Sequence, residues 1–160
     1  MKITLFTLLF FLLSLQPLSA QHRCIDFSIK CSKTEMTMAD FENLTVRYYV
    51  KNCATDTLYI DDFNFGYEAY DNNVFLRLYM IVNGHNFQIN NYVKSDIDPI
   101  VGPEIVLAPG NVDSTWWFQV ESYFYNCAAP GNYVIRGYYK TKENGKEHIY
   151  VSNDCKFTIK

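Results

Sequence analysis

Past its first twenty residues the chain has no long apolar run. It also has no excess of positive charge: 14 lysines and arginines stand against 17 aspartates and glutamates, a formal charge of −3. Nucleic acid and anionic lipid are held by basic stripes, so this balance argues against a nucleic-acid partner and against electrostatic membrane binding. Charged residues are sparse, at 19%, too few for a chain kept disordered by its own repulsion. Histidine is scarce, with His22, His85 and His148 far apart, and no two of the five cysteines form a C-x-x-C pair. A zinc site takes clustered ligands, so the sequence points to no metal and no other cofactor. Repeats, linkers and low-complexity tracts are missing too, which leaves one domain of about 140 residues, long enough for a real core.

What is present begins with a leader. Met1-Lys2 precedes the apolar run from Ile3 to Leu15, followed by Gln16-Pro17-Leu18-Ser19-Ala20. A charged start, an apolar stretch and a small residue at the cleavage position are the parts of a signal peptide. A run of about 13 residues is about 20 Å long as a helix, short of a bilayer. The expectation is a signal peptide over 1–20 and a domain over 21–160 that is secreted or periplasmic and has no membrane span. Cys24 follows Gln21-His22-Arg23 rather than a small-residue triplet, so lipidation there is not expected. Export would place Cys24, Cys31, Cys53, Cys127 and Cys155 in an oxidising compartment, where disulfides are the default.

The remainder alternates with period two. Ile25, Phe27, Ile29 and Cys31 interleave with Asp26, Ser28 and Lys30; Leu44, Val46, Tyr48 and Val50 interleave with Thr45, Arg47, Tyr49 and Lys51. Each is the pattern of a half-buried strand. Further strands are predicted near 57–61, 74–82, 86–93, 104–107, 114–121, 132–141, 147–151 and 155–159, filled with β-branched and aromatic residues. Only the stretch from Thr34 to Phe41 could hold a helical turn. Asn83-Gly84 and Asn144-Gly145 carry the two-residue hairpin signal, and Pro109-Gly110 and Pro130-Gly131 each precede a strand. These signals together predict an all-β, antiparallel sandwich.

The stretches Leu44 to Ala54 (LTVRYYVKNCA), Leu107-Ala108-Pro109-Gly110, Pro130 to Arg136 (PGNYVIR), Ser152-Asn153 and Phe157-Thr158-Ile159 resemble secreted bacterial immunoglobulin-like domains. Such domains include accessory modules of exported enzymes and domains like the Bacillus intracellular proteinase inhibitor. The resemblance covers most of residues 24–160. It implies an immunoglobulin-like sandwich and makes Tyr133 a tyrosine corner, its hydroxyl tied to nearby backbone. The stretch from Phe63 to Pro103 exceeds a minimal domain of this type and reads as an inserted hairpin. No functional motif is part of the likeness, and a shared fold does not supply an activity.

Catalytic constellations are weak. No serine stands in a nucleophile elbow beside His85 or His148, and Asp61-Asp62 and Asp96-x-Asp98 lie next to turns, where acids have structural uses. The expectation is therefore a protein that is not an enzyme. Strand parity bears on the cysteines. Cys24 and Cys53 fall on outward faces and would meet if strands 24–31 and 44–53 pair antiparallel, whereas Cys155 points inward and could reach Cys127. Cys31 is then a buried thiol, with Cys31–Cys127 as the competing bridge. Each bridge is worth about 2–4 kcal/mol.

Neighbours in a strand face opposite sides, so if Trp116 enters the core, Trp117 faces out. Parity puts Tyr49 and Arg47 on an outer face as well. Neighbouring strands would gather Trp117, Tyr49 and Arg47 into one patch, unless the segment 63–103 covers it. Flat aromatics beside a cation suit protein interfaces and sugar platforms. The leading expectation is an exported, non-catalytic domain that binds a protein partner through its surface. The alternatives are a carbohydrate-binding module that takes a polysaccharide on Trp117, and a protease inhibitor using the loop from Ser95 to Pro103, the latter suggested only by the resemblance.

Overall fold

The computed structural model describes residues 24–60, 64–65, 73–89, 100–101, 104–114, 117–124, 129–143 and 145–160. The leader therefore lies outside the described residues, as do Cys127, Trp116, Asp61, Asp62, Asp96 and Asp98.

Alternation produces strands where the sequence predicts them. Ile25–Cys31 (β1) buries its odd residues, and Thr45–Asn52 (β3) buries Val46, Tyr48, Val50 and Asn52. The two pair antiparallel along their full length, from Ile25 opposite Asn52 to Cys31 opposite Val46. Two short strands, Val112–Asp113 (β10) and Trp117–Gln119 (β11), share the other edge of β3 and complete the first sheet.

The second sheet is built on Gly131–Glu143 (β12), the longest strand. One edge of β12 takes Val74–Val82 (β6); the other is divided between Cys155–Ile159 (β14), opposite residues 131–135, and Lys146–Val151 (β13), opposite residues 138–143. The sheet is extended by Glu35–Met36 (β2), Asn64–Phe65 (β5), His85–Ile89 (β7) and Ile100–Val101 (β8). Leu58–Ile60 (β4) and Ile105–Leu107 (β9) form a separate antiparallel pair. Most pairings are antiparallel, but β2 with β14 and β5 with β6 run parallel. The second sheet is therefore mixed, a departure from the purely antiparallel expectation. It arises because β2 and β5 are two-residue bridges that dock on an edge without a hairpin.

The turns follow their chemistry. Asn83 and Gly84 both have positive φ, at 51° and 80°, as a type I′ hairpin requires. Helical content differs from expectation. The stretch 34–41 contributes β2 and leads into a 3-10 turn at Phe41–Asn43, and the strand predicted over 114–121 stops at Gln119. There a four-residue helical turn, Val120–Tyr123 (α1), begins. Val120 N–H donates to the Leu44 carbonyl, so the chain leaves the sheet to cap the start of β3.

Between the sheets lies one core in which Phe27 stacks on Tyr48 with centroids 5.5 Å apart, and Tyr133 on Phe157 at 5.2 Å. Gly137 sets how closely the layers approach. A Cβ there would stand 2.9 Å from Ile29 Cγ2, 3.1 Å from Tyr48 Cε1 and 3.2 Å from Phe27 Cε1. The free edge of β1 is covered by the corner between β13 and β14. Ile29 N–H donates to Asn153 Oδ1 at 2.9 Å, and Cys31 N–H reaches the Cys155 sulfur.

At that corner Cys155 is bonded to Cys31, with Cα atoms 6.1 Å apart. This corrects the expected Cys127–Cys155 bridge and its competitor Cys31–Cys127. Parity had placed both Cys31 and Cys155 inward. The missing fact was that β14 runs alongside the free edge of β1, bringing the two together within the reach of a disulfide. Cys24 and Cys53 do face each other at the end of the β1–β3 pair, as two exposed thiols.

Two outcomes are expected. Gly137→Ala forces its methyl into packed rings and costs about 1–3 kcal/mol in chemical denaturation; an unchanged midpoint would mean the layers part freely. The Arg136 guanidinium grips the Asp154 carboxylate, with a second contact at 3.1 Å, and holds that carboxyl below its usual range. A depressed acid stabilises above its unfolded pKa of about 4 and loses that contribution as pH falls through the native value. Asp154→Asn should cost up to about 1 kcal/mol at neutral pH, since solvent screens a pair one-third exposed. The difference from wild type should vanish at pH about 2; a gap that persists in acid would contradict the assignment.

Candidate functional site

The outer face of β1 and β3 carries residues in opposed pairs: Asp26 with Lys51, Ser28 with Tyr49, and Lys30 with Arg47. At one end an acid faces a base. At the other end two cations face each other, and among the described residues neither is ion-paired. Like charges directly opposed across a ladder are unfavourable. This arrangement therefore weakens the sheet where it stands.

Around the cation pair the surface is concave. An open depression of about 490 Å³ is lined by Lys30, Cys31, Ser32, Thr45, Arg47 and Tyr49. Ser32 Oγ accepts the Thr45 backbone N–H at 3.0 Å, leaving the hydroxyl proton of Ser32 to donate outward. Among the described residues, an ammonium, a guanidinium with five N–H groups, and hydroxyls make a set rich in donors and without a carboxylate. Such a set suits an oxyanion: Arg47 can take a carboxylate through two parallel bonds, and Lys30 supplies a point charge. The Cys31–Cys155 disulfide fixes the end of β1 beside the depression.

The residues expected to form a patch fall as follows. Arg47 and Tyr49 share this face, Arg47 exposed and Tyr49 half-buried. In β11, Trp117 is the register partner of Arg47 on the side away from Lys30, so the backbone brings all three expected residues to one place; the Trp117 indole is outside the described residues. Of the segment 63–103, the parts described are β5, β6, β7 and β8, and all belong to the second sheet. Lys30 was not singled out from sequence, although an antiparallel register that sets Cys24 against Cys53 also sets Lys30 against Arg47.

Sequence reading also missed a second constellation, on β6 and β12. Phe75 stacks on Tyr138 at 5.2 Å, the Arg77 guanidinium lies 4.7 Å from the Tyr138 centroid, and the Tyr79 and Tyr138 hydroxyls hydrogen-bond at 3.0 Å. Partial burial and the Tyr138 hydroxyl push the Tyr79 phenol up. Phe75 and Tyr138 are buried, so this cluster packs rather than presents a platform. His85 and His148 sit apart on β7 and β13. Among the described residues, no three of the His, Cys, Asp and Glu side chains gather as a metal site, and no helix is long and apolar enough to cross a membrane.

No protein-family model matches the chain, and no curated protein is significantly similar to it. Among solved structures it is similar to the β-glucosidase EmGH1 of Erythrobacter marinus, with a TM-score of 0.41 and 13% identity over 86% of this chain. It is also similar to β-glucosidase 3B of Thermotoga neapolitana, with a TM-score of 0.34 and 14% identity over 86% of this chain. The chain spans only 15% and 17% of those two proteins. Neither likeness carries a functional argument.

Relieving the repulsion should be visible in stability. Lys30→Gln is expected to raise stability by about 0.2–1 kcal/mol in urea titration at low ionic strength, with the gain shrinking in salt. A loss at low salt would show that the two cations do not oppose each other.

Proposed function

We propose that this chain is an exported, non-catalytic immunoglobulin-like domain that binds a protein partner through the outer face of β1, β3 and β11. Lys30 and Arg47 receive an acidic group of that partner, and Tyr49 and Trp117 flank it. The observation that carries this reading is the unbalanced cation pair in an open, donor-lined depression, on a chain whose net charge is negative. A feature that costs stability without a structural return is characteristic of a binding surface. The immunoglobulin-like reading is supported by the Tyr133 hydroxyl, which donates to the Ala129 carbonyl at 2.6 Å and accepts the Ala129 N–H at 3.0 Å, the arrangement implied for a tyrosine corner. The disulfide is compatible with export.

The test is capture of exported proteins from the source on immobilised protein, followed by elution in rising salt. A partner retained by wild type and by Lys51→Glu, eluted by salt, and lost at least tenfold with Lys30→Glu/Arg47→Glu supports the reading. A partner held equally by the charge-reversed protein would overturn it. So would binding to insoluble polysaccharide that Trp117→Ala abolishes, or inhibition of a protease that ends when the 95–103 loop is cut.

A further inference from the structure

The end of the β1–β3 pair holds two cysteines that the fold does not otherwise employ. Ile25 opposes Asn52, and one step further Cys53 N–H donates to the Cys24 carbonyl at 2.7 Å, so Cys24 and Cys53 are cross-strand partners. Opposed residues that share such a bond have Cα atoms about 5.5 Å apart, inside the range a disulfide spans. The Cys53 thiol donates to the Lys51 carbonyl at 4.0 Å; desolvation, the neighbouring Cys53 thiol and Asp26 push the Cys24 thiol up. Both are exposed, in contrast to Cys31 and Cys155, which are buried in the core.

The neighbouring residue gives the pair its consequence. Asn52 is fully buried, and its side-chain amide donates to the carbonyls of Asp56 and Leu107, each at 2.8 Å, while its Oδ1 accepts Ala54 N–H at 2.9 Å. Its backbone joins the β9–β10 turn through Asn111 and Gly110. Asn52 thus fastens the segment after β3 and the β9–β10 turn at one end of the molecule. Among the described residues, the backbone bonds at the start of β1 are those of the ladder to β3, and Cys24 and Cys53 sit where a cross-link would add it to the assembly.

We propose that Cys24 and Cys53 are a site of thiol–disulfide exchange: an exposed clasp, oxidised by an exported disulfide-carrying oxidoreductase and opened by thiol reductants while Cys31–Cys155 stays closed. The chemistry is balanced. One of the two cysteines, as thiolate, attacks the oxidoreductase disulfide, giving a mixed disulfide and releasing one oxidoreductase thiolate. The second attacks the mixed disulfide, forms the Cys24–Cys53 bond and expels the other. The cysteine pair loses two electrons and two protons, and the oxidoreductase gains them as a dithiol. Selectivity follows from access, since exchange needs an attacking thiolate in line with the sulfur, and buried bonds resist it.

The test uses the protein recovered through its own export route. It is alkylated under non-reducing, denaturing conditions and digested, and its linked peptides are identified by mass spectrometry. The native protein is then treated with graded dithiothreitol and alkylated again. The expected result is a Cys24–Cys53 peptide beside the Cys31–Cys155 peptide, with Cys24 and Cys53 becoming alkylatable at least tenfold faster than Cys31 and Cys155. Cys24→Ser/Cys53→Ser should keep Cys31–Cys155 intact and melt with the selectively reduced wild type, below the oxidised protein. Recovery of Cys24 and Cys53 as free thiols, either of them bonded to Cys127, or equal rates of reduction for both bridges would overturn the proposal.

Discussion

The structure depends on how near β12 can come to β1 and β3. Gly137 lies at the middle of the longest strand, and the absence of a side chain lets Ile29, Phe27 and Tyr48 settle against bare backbone. Ser152 seals the same point from the edge: its hydroxyl accepts Gly137 N–H at 2.8 Å, and its own N–H returns a bond to the Gly137 carbonyl. That exchange marks where β13 ends and the approach to β14 begins. The strand change places Asn153 and Cys155 against the open side of β1. A single close approach between layers thus leads to the corner, the corner to the disulfide, and the disulfide to a fixed end of β1. An exposed strand edge invites pairing with other chains, and here side-chain and sulfur contacts occupy it.

Much of this is legible in the sequence, because burial on one face enforces strict alternation. β1, β3, β6 and β14 stand within a residue of their expected limits, and the Asn83-Gly84 hairpin has the backbone its sequence demands. Parity, however, tells which face a residue occupies and not which strand it lies beside. Cys31 and Cys155 were both assigned inward, yet nothing local to either announces that β14 passes β1. The helical turn after Gln119 escaped notice for a related reason. Trp117 to Val120 alternates acceptably as a strand, and its departure is decided by the Leu44 carbonyl, which lies 76 residues earlier in the chain and takes the Val120 N–H. Short parallel bridges such as β2 on β14 have too few residues to leave any periodic signal.

The candidate site shows the same division. Arg47 and Tyr49 were legible as outward residues of one strand, and the register of β11 brings Trp117 to the same place. Lys30 emerges only when register is added to parity. It changes the character of the face, from aromatic with a single cation to a depression in which two cations meet hydroxyl donors. That shift favours recognition of an acidic group over a sugar stacking surface, because rings alone need no second charge. Isolated surface ion pairs contribute little to stability. Complementary charge across an interface instead steers encounter and fixes orientation, so a cation pair with no ion-pair partner among the described residues, on an acidic protein, has more to offer a partner than the fold.

The most direct measurement follows side-chain nitrogen resonances of Lys30 and Arg47 by NMR while a captured partner is titrated in. The account predicts shifts that saturate together at these two residues, extend to Ser32, Thr45 and Tyr49, and collapse as salt is raised. Shifts confined to β7 or β13, with Lys30 and Arg47 unmoved at saturation, would contradict it.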